Sequence, residues 1–209
     1  MKLLDVISYM GIFVFAITGA LKAKTHRMDI FGATVLAFVT AYGGGTTRDL
    51  LIGIRPVNWI NDYFALSLVV SAVIIVAFIS KSFTRFKRII FITDAIGVGL
   101  FTGVGIQVSL LHDLNNTYAV IMGMITGTLG GMIADILSNI VPDLLKRGEL
   151  YATASLTGGI IYVAMQSLNT THNAALISCV VIIVAVRIVS KLKRLMLPGI
   201  LRLLTFQQP

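Results

Sequence analysis

Long apolar runs separated by short polar segments make up most of this chain. Seven runs are nearly free of charged residues, and a helix that crosses a bilayer needs about 20 mostly apolar residues. The runs cover residues 6–21, 30–47, 63–80, 95–111 (with an apolar extension back to 89), 114–134, 150–168 and 174–190. The polar segment 169–173 separates the last two runs and predicts a tight loop. The pattern therefore predicts an all-α membrane protein with seven transmembrane helices.

Composition excludes most classes of soluble protein. With 56% hydrophobic and 12% charged residues, the chain has too little polar surface to cover a soluble globule. The first run follows only Lys2 and Asp5 and has no small-residue cleavage pattern, so we expect a retained span and no signal peptide. Cys179 lies inside an apolar run, and the sequence has no nucleotide-binding glycine loop, nucleophile elbow or metal-ligand spacing. We therefore expect neither an enzyme nor a metal or cofactor site.

Basic residues are distributed unequally between the two sides of the predicted membrane. One side receives Lys2, Arg48 and Arg55, and the other receives the remaining 14 of the 17 Lys and Arg residues. Because cytoplasmic loops are enriched in Lys and Arg, we predict that the N-terminus is outside and the C-terminus cytoplasmic, in the inner (plasma) membrane. The net charge of +8 is then explained by topology, so no nucleic-acid partner is expected.

The chain resembles itself at an offset of 86 residues. The aligned positions share glycine, threonine, aspartate and proline, which chance matches between apolar segments do not explain. They pair Gly11, Phe15, Gly19, Thr40, Gly44, Gly45, Asp49 and Pro56 with Gly97, Phe101, Gly105, Thr126, Gly130, Gly131, Asp135 and Pro142. Each copy contains three spans, and an odd number of crossings inverts the second copy. We predict a three-helix repeat at 1–88, an inverted repeat at 89–168, and a seventh helix with a basic tail at 169–209.

Glycines interrupt the second and fifth spans. Gly43, Gly44 and Gly45 are consecutive, and each glycine in a helix costs about 1 kcal/mol relative to alanine. We therefore expect span two to bend or unwind there, and span five to be kinked at Gly130 and Gly131. Inverted repeats with broken helices place their functional site near the bilayer midplane. The alternative interpretation is that these small residues only let helices pack closely.

The polar residues beside the glycines have the chemistry of an ion pathway. Carbonyls freed at a helix break, together with the hydroxyls of Thr46 and Thr47, offer oxygen ligands to a cation. The candidate pathway residues are Gly43, Gly44, Gly45, Thr46, Thr47, Arg48, Asp49, Thr126, Gly130, Gly131 and Asp135.

A Gly-Gly-Gly sequence followed by Arg-Asp, with a second copy later in a seven-span chain, resembles the prokaryotic trimeric intracellular cation (TRIC) channels. These were formerly grouped as an uncharacterised membrane family with a predicted glycine-transporter domain. The resemblance runs from about Asp5 to Leu168 and includes Pro56, Pro142 and the segment 149–152 that enters span six. It implies a homotrimer in which each protomer has its own pore, bounded by kinked second and fifth helices. It also implies conduction of monovalent cations, potassium or sodium.

The second copy departs from the family pattern of Arg-Asp in both repeats, because Ala134 precedes Asp135. The two halves are therefore predicted to be electrostatically unequal. An arginine in an embedded segment needs an anionic partner, and neighbours at i and i+1 on a helix do not face each other. We therefore predict that Arg48 pairs with Asp135 across the pseudo-two-fold axis.

Several other residues have more than one interpretation. Asp94 lies early in span four, where an ionisable group either has a function or occupies a water-exposed or capping position near the cytoplasmic edge. Arg187 is expected to snorkel from the end of span seven, and Trp59 and Tyr63 to join an interfacial aromatic belt. Basic clusters set the orientation and are candidate sites for anionic membrane lipids. The candidates are Lys81, Arg85, Lys87, Arg88, Lys146 and Arg147.

Two functions fit these patterns: a cation channel, and a secondary transporter of a small solute such as glycine. Threonine hydroxyls and backbone carbonyls favour cations, whereas Arg48 beside a helix break favours a substrate carboxylate. The family resemblance favours the channel.

The charge count predicts topology. A reporter that is active only in the cytoplasm, fused after Pro209, should be active, because the Lys- and Arg-rich side receives the C-terminus. A periplasmic reporter at the same position should be silent. The opposite pair of results would reverse the orientation of both repeats.

Overall fold

The computed structural model describes residues 3–79, 83–146, 150–193 and 195, which form seven α-helices and one short 3-10 helix. The α-helices are α1 (Leu3–Thr25), α2 (Ile30–Ile52), α3 (Tyr63–Phe78), α4 (Phe83–Leu111), α5 (Asn116–Leu137), α6 (Ala152–Ser167) and α7 (His172–Lys193), and the 3-10 helix is Asp143–Leu145. The described ranges contain no strand. Each predicted span contains one helix, which confirms the all-α, seven-helix prediction.

Five of these helices, α1, α2, α4, α5 and α7, are long and apolar enough to cross a membrane. The helices α3 and α6 have 16 residues each. Several helices continue past their apolar runs. α1 includes Lys22 and Lys24, α2 includes Arg48 and Asp49, and α5 includes Asp135. Boundaries drawn at the first charged residue therefore cut off the turns that carry the site.

Capping side chains begin α2 and α5 in the same way. Asp29 accepts a hydrogen bond from the N–H of Gly32 at 2.7 Å, and Asn115 accepts one from the N–H of Tyr118 at 3.0 Å. The two caps are 86 positions apart and satisfy equivalent free N–H groups. At the other end of α2, Gly53 adopts a φ of 81°, a left-handed conformation that glycine tolerates without a Cβ penalty.

Four helices form the centre of the fold. α1 packs on α2 and α4, and α5 packs on the same two helices, so α1 and α5 lie diagonally opposite each other. α3 covers α1 and α2, while α6 and α7 pack on each other and on α4. The buried rings of Phe15 and Phe101, at equivalent positions of the two copies, meet in this core with 5.1 Å between centroids.

Two glycines allow α2 and α5 to cross closely. A Cβ atom on Gly44 would collide with the backbone carbonyl of Thr126, and one on Gly130 would collide with the carbonyl of Thr40. The two contacts are reciprocal at the offset of 86 residues. This geometry agrees with the packing interpretation of Gly44 and Gly130.

The expected unwinding at the three glycines does not occur. Helical structure is continuous through Gly43, Gly44 and Gly45, and through Gly130 and Gly131. Tertiary packing decides whether a segment of low helix propensity is helical, and the close crossing supplies that packing here. The carbonyls of this segment are therefore not released by unwinding, and kinks in α2 and α5 stay a prediction.

Alanine substitution separates close packing from open space. Gly44→Ala should destabilise the protein by about 1–3 kcal/mol, the usual cost of overpacking, because the obstructing atoms are backbone. Gly45→Ala is the matched control, since a Cβ at Gly45 meets no atom within 4 Å. Thermal unfolding of both variants in detergent provides the comparison, and equal stability would show that the crossing tolerates a side chain.

Candidate functional site

A cavity of about 80 Å³ opens between the four central helices, on one side of the crossing. We call it the Arg48 cavity. α1, α2, α4 and α5 all contribute to its wall, as does the connection between α2 and α3. Its polar lining consists of Ser8, Tyr42, Thr46, Arg48, Asp49, Asn58, Trp59, Asp62 and Thr126.

A second cavity, of about 410 Å³, lies at the opposite ends of α1, α4 and α5, and we call it the Lys22 cavity. α7 and the segment after α5 complete its wall. Its charged or titratable lining consists of Lys22, His26, Lys87, Asp94, Asp135, Asp143, Lys146 and Lys191. Lys22 is in the last turn of α1, close to the start of α2, whereas Arg48 is 18 residues into α2. A rise of 1.5 Å per residue separates the two levels by about 25 Å.

Arg48 pairs with its own neighbour, Asp49. The Arg48 Nε and Nη2 atoms donate to Asp49 Oδ1 at 2.9 and 2.6 Å, and both side chains are buried. Asp49 Oδ2 accepts a hydrogen bond from the N–H of Asn58 at 3.0 Å, which holds the segment after Pro56 against α2. The carboxylate thus connects the end of α2 to the connection that follows it.

The predicted pair between Arg48 and Asp135 is wrong. Asp135 is at the Lys22 cavity, at the other end of the helices from Arg48. The spacing rule for i and i+1 also failed, because the arginine side chain is long enough to turn back to the next carboxylate. The predicted inversion of the second copy already argued against the pairing, since equivalent residues of inverted repeats would lie on opposite sides of the membrane.

Asp135 is neutralised by Lys22 from α1. Lys22 Nζ donates to Asp135 Oδ1 at 2.6 Å, and the two side chains are only 7% and 2% exposed. Asp135 Oδ2 accepts from the N–H of Asp143 at 2.9 Å, just after Pro142. Asp49 and Asp135 therefore each accept a hydrogen bond from the segment after a proline, and each pairs with one buried basic side chain. The basic side chain for Asp49 comes from its own helix, whereas the one for Asp135 comes from α1.

Asp94 and Arg187 form a further buried ion pair beside the Lys22 cavity. Arg187 Nη1 is 2.8 Å from Asp94 Oδ2, with side chains 2% and 3% exposed. Tyr151 donates its hydroxyl proton to Asp94 Oδ1 at 3.1 Å, and its ring lies 4.2 Å from the guanidinium carbon. Arg187 therefore does not snorkel, and Asp94 is neither water-exposed nor a helix cap.

The sequence contained a signal for this pair that our residue-by-residue interpretation missed. Asp94 and Arg187 are the charged residues within the fourth and seventh apolar runs. Two ionisable groups of opposite charge embedded in apolar segments are each expensive alone, so each predicts the other as its partner. Lys22 was missed because we counted it only as a topology signal.

The remaining candidate residues lie at the Arg48 cavity, at the crossing, or outside both cavities. Gly45 faces open space at the Arg48 cavity, and Gly131 faces the hydroxyl of Tyr151. Gly43 packs against Gly130. Thr47 donates to the carbonyl of Gly43 at 2.8 Å and does not line either cavity.

Trp59 closes one side of the Arg48 cavity. Its indole N–H donates to the hydroxyl oxygen of Thr46 at 3.0 Å, and its ring packs on Phe38 and Tyr42. Tyr63 is 80% exposed. Trp59 is thus partly inside the protein, a position that the expected interfacial belt did not include.

The candidate lipid-binding residues lie near the Lys22 end. Arg85, Lys87 and Arg88 are exposed at the start of α4, and Lys146 is exposed and paired with Asp143. Lys81 and Arg147 lie outside the described residues. A groove between α4 and α7 brings together basic and apolar side chains: Lys87, Arg88, Phe91, Ile92, Ile188, Lys191 and Leu192.

Comparison with known proteins supports one family. A family model described as glycine transporter matches residues 5–81 and again residues 91–167. A UPF0126 membrane protein of Vibrio cholerae is 39% identical over 85% of this chain and 74% of its own. The UPF0126 inner membrane protein YadS of Escherichia coli is 39% identical over 73% of each chain. The crystal structure of the TRIC trimeric intracellular cation channel orthologue from Rhodobacter sphaeroides superposes with a TM-score of 0.86 at 31% identity, covering 93% of this chain and 100% of that one.

The chain belongs to the prokaryotic TRIC channel family. Both halves carry the match, and the two matched segments of this TRIC family member are offset by 86 residues at both ends. That offset equals the one that aligns Asp49 with Asp135. It is also the offset between the reciprocal contacts of Gly44 and Gly130 at the crossing.

The buried Asp94–Arg187 pair leads to a prediction for this TRIC family member. Arg187→Met should lower the free energy of unfolding by about 3–5 kcal/mol, because it leaves Asp94 as an uncompensated buried charge. Combining it with Asp94→Asn should cost less than the sum of the two single changes. Lys193→Met is the control, because Lys193 is exposed on the same helix. Additive losses in thermal unfolding would show that the two side chains do not interact.

Proposed function

We propose that the protein is a channel for monovalent cations, potassium in the first place, with one pathway in each protomer of a homotrimer. The observation that carries this proposal is the pair of polar cavities placed on either side of the α2–α5 crossing, inside a single chain. Together they occupy the space between the helices at both ends of the molecule. The family membership supports the same function, since the Rhodobacter sphaeroides relative is named a cation channel.

Two hydroxyl groups of the Arg48 cavity, those of Ser8 and Thr126, are oriented to accept and not to donate. Ser8 donates its proton to the carbonyl of Leu4 at 2.8 Å, and Thr126 donates to the carbonyl of Met122 at 2.6 Å. A hydroxyl has one proton and two lone pairs, so both oxygens keep lone pairs for another partner. Oxygen lone pairs lining a cavity favour a cation as that partner.

Arg48 is poorly placed to bind a substrate carboxylate. Two of its nitrogen atoms already donate to Asp49, so its charge is neutralised within the pair. Asp62, which also lines the Arg48 cavity, adds a further carboxylate. The charged lining of this cavity is therefore negative on balance, which attracts cations.

The α2–α5 crossing lies between the cavities, and we infer that it is the barrier to ions. Gly44 and Gly130 bring the two backbones together at this level. Bending of α2 and α5 at their glycine clusters would move the backbones apart and join the cavities. The kinks and the inverted three-helix repeats are thus part of the proposal, supported by the reciprocal contacts at the offset of 86.

The proposal places the Arg48 cavity outside and the Lys22 cavity on the cytoplasmic side of the inner membrane, as the distribution of Lys and Arg predicts. Anionic lipids are the proposed occupants of the groove between α4 and α7. Lys87, Arg88 and Lys191 offer charge for a headgroup there, and Ile188 and Leu192 offer apolar contact for an acyl chain.

A second candidate function is secondary transport of a small solute such as glycine. The family model's description as glycine transporter is the observation in its favour. The same purified protein distinguishes the two. Discrete potassium currents in planar bilayers support the channel, whereas saturable glycine uptake into proteoliposomes without such currents supports the transporter.

Filling the Arg48 cavity should block conduction without unfolding the protein. Gly45→Leu places a side chain in open space within a cavity of about 80 Å³, so unitary potassium current should fall by about tenfold or more while thermal stability stays near wild type. Leu50→Ala on the same helix is the control, because Leu50 is 57% exposed and does not line the cavity. Wild-type current through stable Gly45→Leu would exclude this cavity from the pathway.

A further inference from the structure

The two halves neutralise their equivalent aspartates in different ways. Asp49 is bound by Arg48, the preceding residue of the same helix. At the equivalent place before Asp135, the second half has Ala134, which is fully buried beside Ala23 and Leu36. Asp135 pairs instead with Lys22, whose Nζ lies 2.6 Å from Asp135 Oδ1.

Lys22 reaches Asp135 across the diagonal of the central four-helix group. α1 and α5 each pack on α2 and α4 but lie opposite one another. The ion pair therefore crosses the space between the helices at the level of the Lys22 cavity, which both residues line. A cation that moves between the helices at this level meets the ammonium group of Lys22.

The two pairs respond differently to helix movement. Residues 48 and 49 are adjacent on one helix, so no rigid-body movement of α2 changes their separation. Lys22 and Asp135 are on separate helices, so any movement that widens the space between α1 and α5 breaks their contact. A contact present in one state and absent in another biases the equilibrium between those states.

We propose that the Lys22–Asp135 pair is the latch that holds the pathway closed at the Lys22 end. Lys22 neutralises Asp135 in place of an arginine at position 134, where this chain has Ala134. Because Lys22 lies on another helix, the same pair also gates the pathway. The inference rests on the proposed channel function. Breaking the pair accompanies opening, whereas the Arg48–Asp49 pair persists in both states. The gate is thus asymmetric although the repeats are equivalent in sequence position.

Single-channel recording of the full-length protein in planar bilayers tests the latch. Lys22→Met removes the ammonium but keeps the length of the side chain, and it should raise the open-to-closed ratio by about tenfold, within the usual range of coupling between sites. Lys22→Arg keeps the charge and should restore a ratio near wild type. Lys193→Met, an exposed change on α7, should leave the ratio unchanged.

A variant at the other end provides the contrast. Arg48→Met combined with Asp49→Asn should change the unitary current without changing the open-to-closed ratio, because that pair does not separate on opening. If this double variant and Lys22→Met shifted the open-to-closed ratio equally, the proposal of an asymmetric gate would be overturned.

A second variant covers the case in which Lys22→Met does not fold. Combining it with Asp135→Asn removes the lone buried charge, which is the usual cause of such failure, and should also raise the open-to-closed ratio. A folded Lys22→Met protein, alone or combined with Asp135→Asn, that keeps a wild-type ratio overturns the latch. A failure of both of these variants to fold also overturns it, because Lys22 is then purely structural. A wild-type protein that passes no potassium current overturns the proposed function itself.

Discussion

The close crossing of α2 and α5 at Gly44 and Gly130 is the constraint on which the rest of the structure depends. Because no Cβ atom separates the helices at these points, the backbone of each lies against a carbonyl of the other. That contact holds the two halves together at their centre and divides the polar interior into two cavities. The contact also keeps the C-terminal ends of α2 and α5, which carry Asp49 and Asp135, far apart. Each of these aspartates therefore needs a basic side chain close to it.

Burial of charge then determines the side-chain arrangement around the crossing. Each of the three aspartates that are buried, Asp49, Asp94 and Asp135, is bound to an arginine or lysine within 3 Å. Removing such a group from water is offset only when the pair is close and the remaining lone pairs are satisfied. The backbone N–H groups of Asn58 and Asp143 satisfy two of these carboxylates, and the Tyr151 hydroxyl satisfies the third.

Much of the architecture could be predicted from the sequence because lipid leaves few alternatives to a helix for an apolar run of this length. The lengths of the apolar runs were enough to predict the seven helices, and the repeat at an offset of 86 residues was enough to pair their glycine clusters. The ion pairs were harder, because Lys22 and Arg187 lie near span ends, where a basic residue is usually explained by topology or snorkelling. Only the tertiary arrangement distinguishes a lysine that enters the core from one that faces a headgroup.

Because the basic partners of Asp49 and Asp135 have different origins, the two halves are not interchangeable. The position equivalent to Lys22 in the second half is Val108. Two copies of the first half, arranged as the halves are here, would place Lys22 beside a carboxylate that already binds Arg48, leaving two surplus buried cations. Two copies of the second half would provide no cation for Asp135 from either position. Neither half paired with a copy of itself would balance these buried charges, so each half depends on the other for charge neutrality.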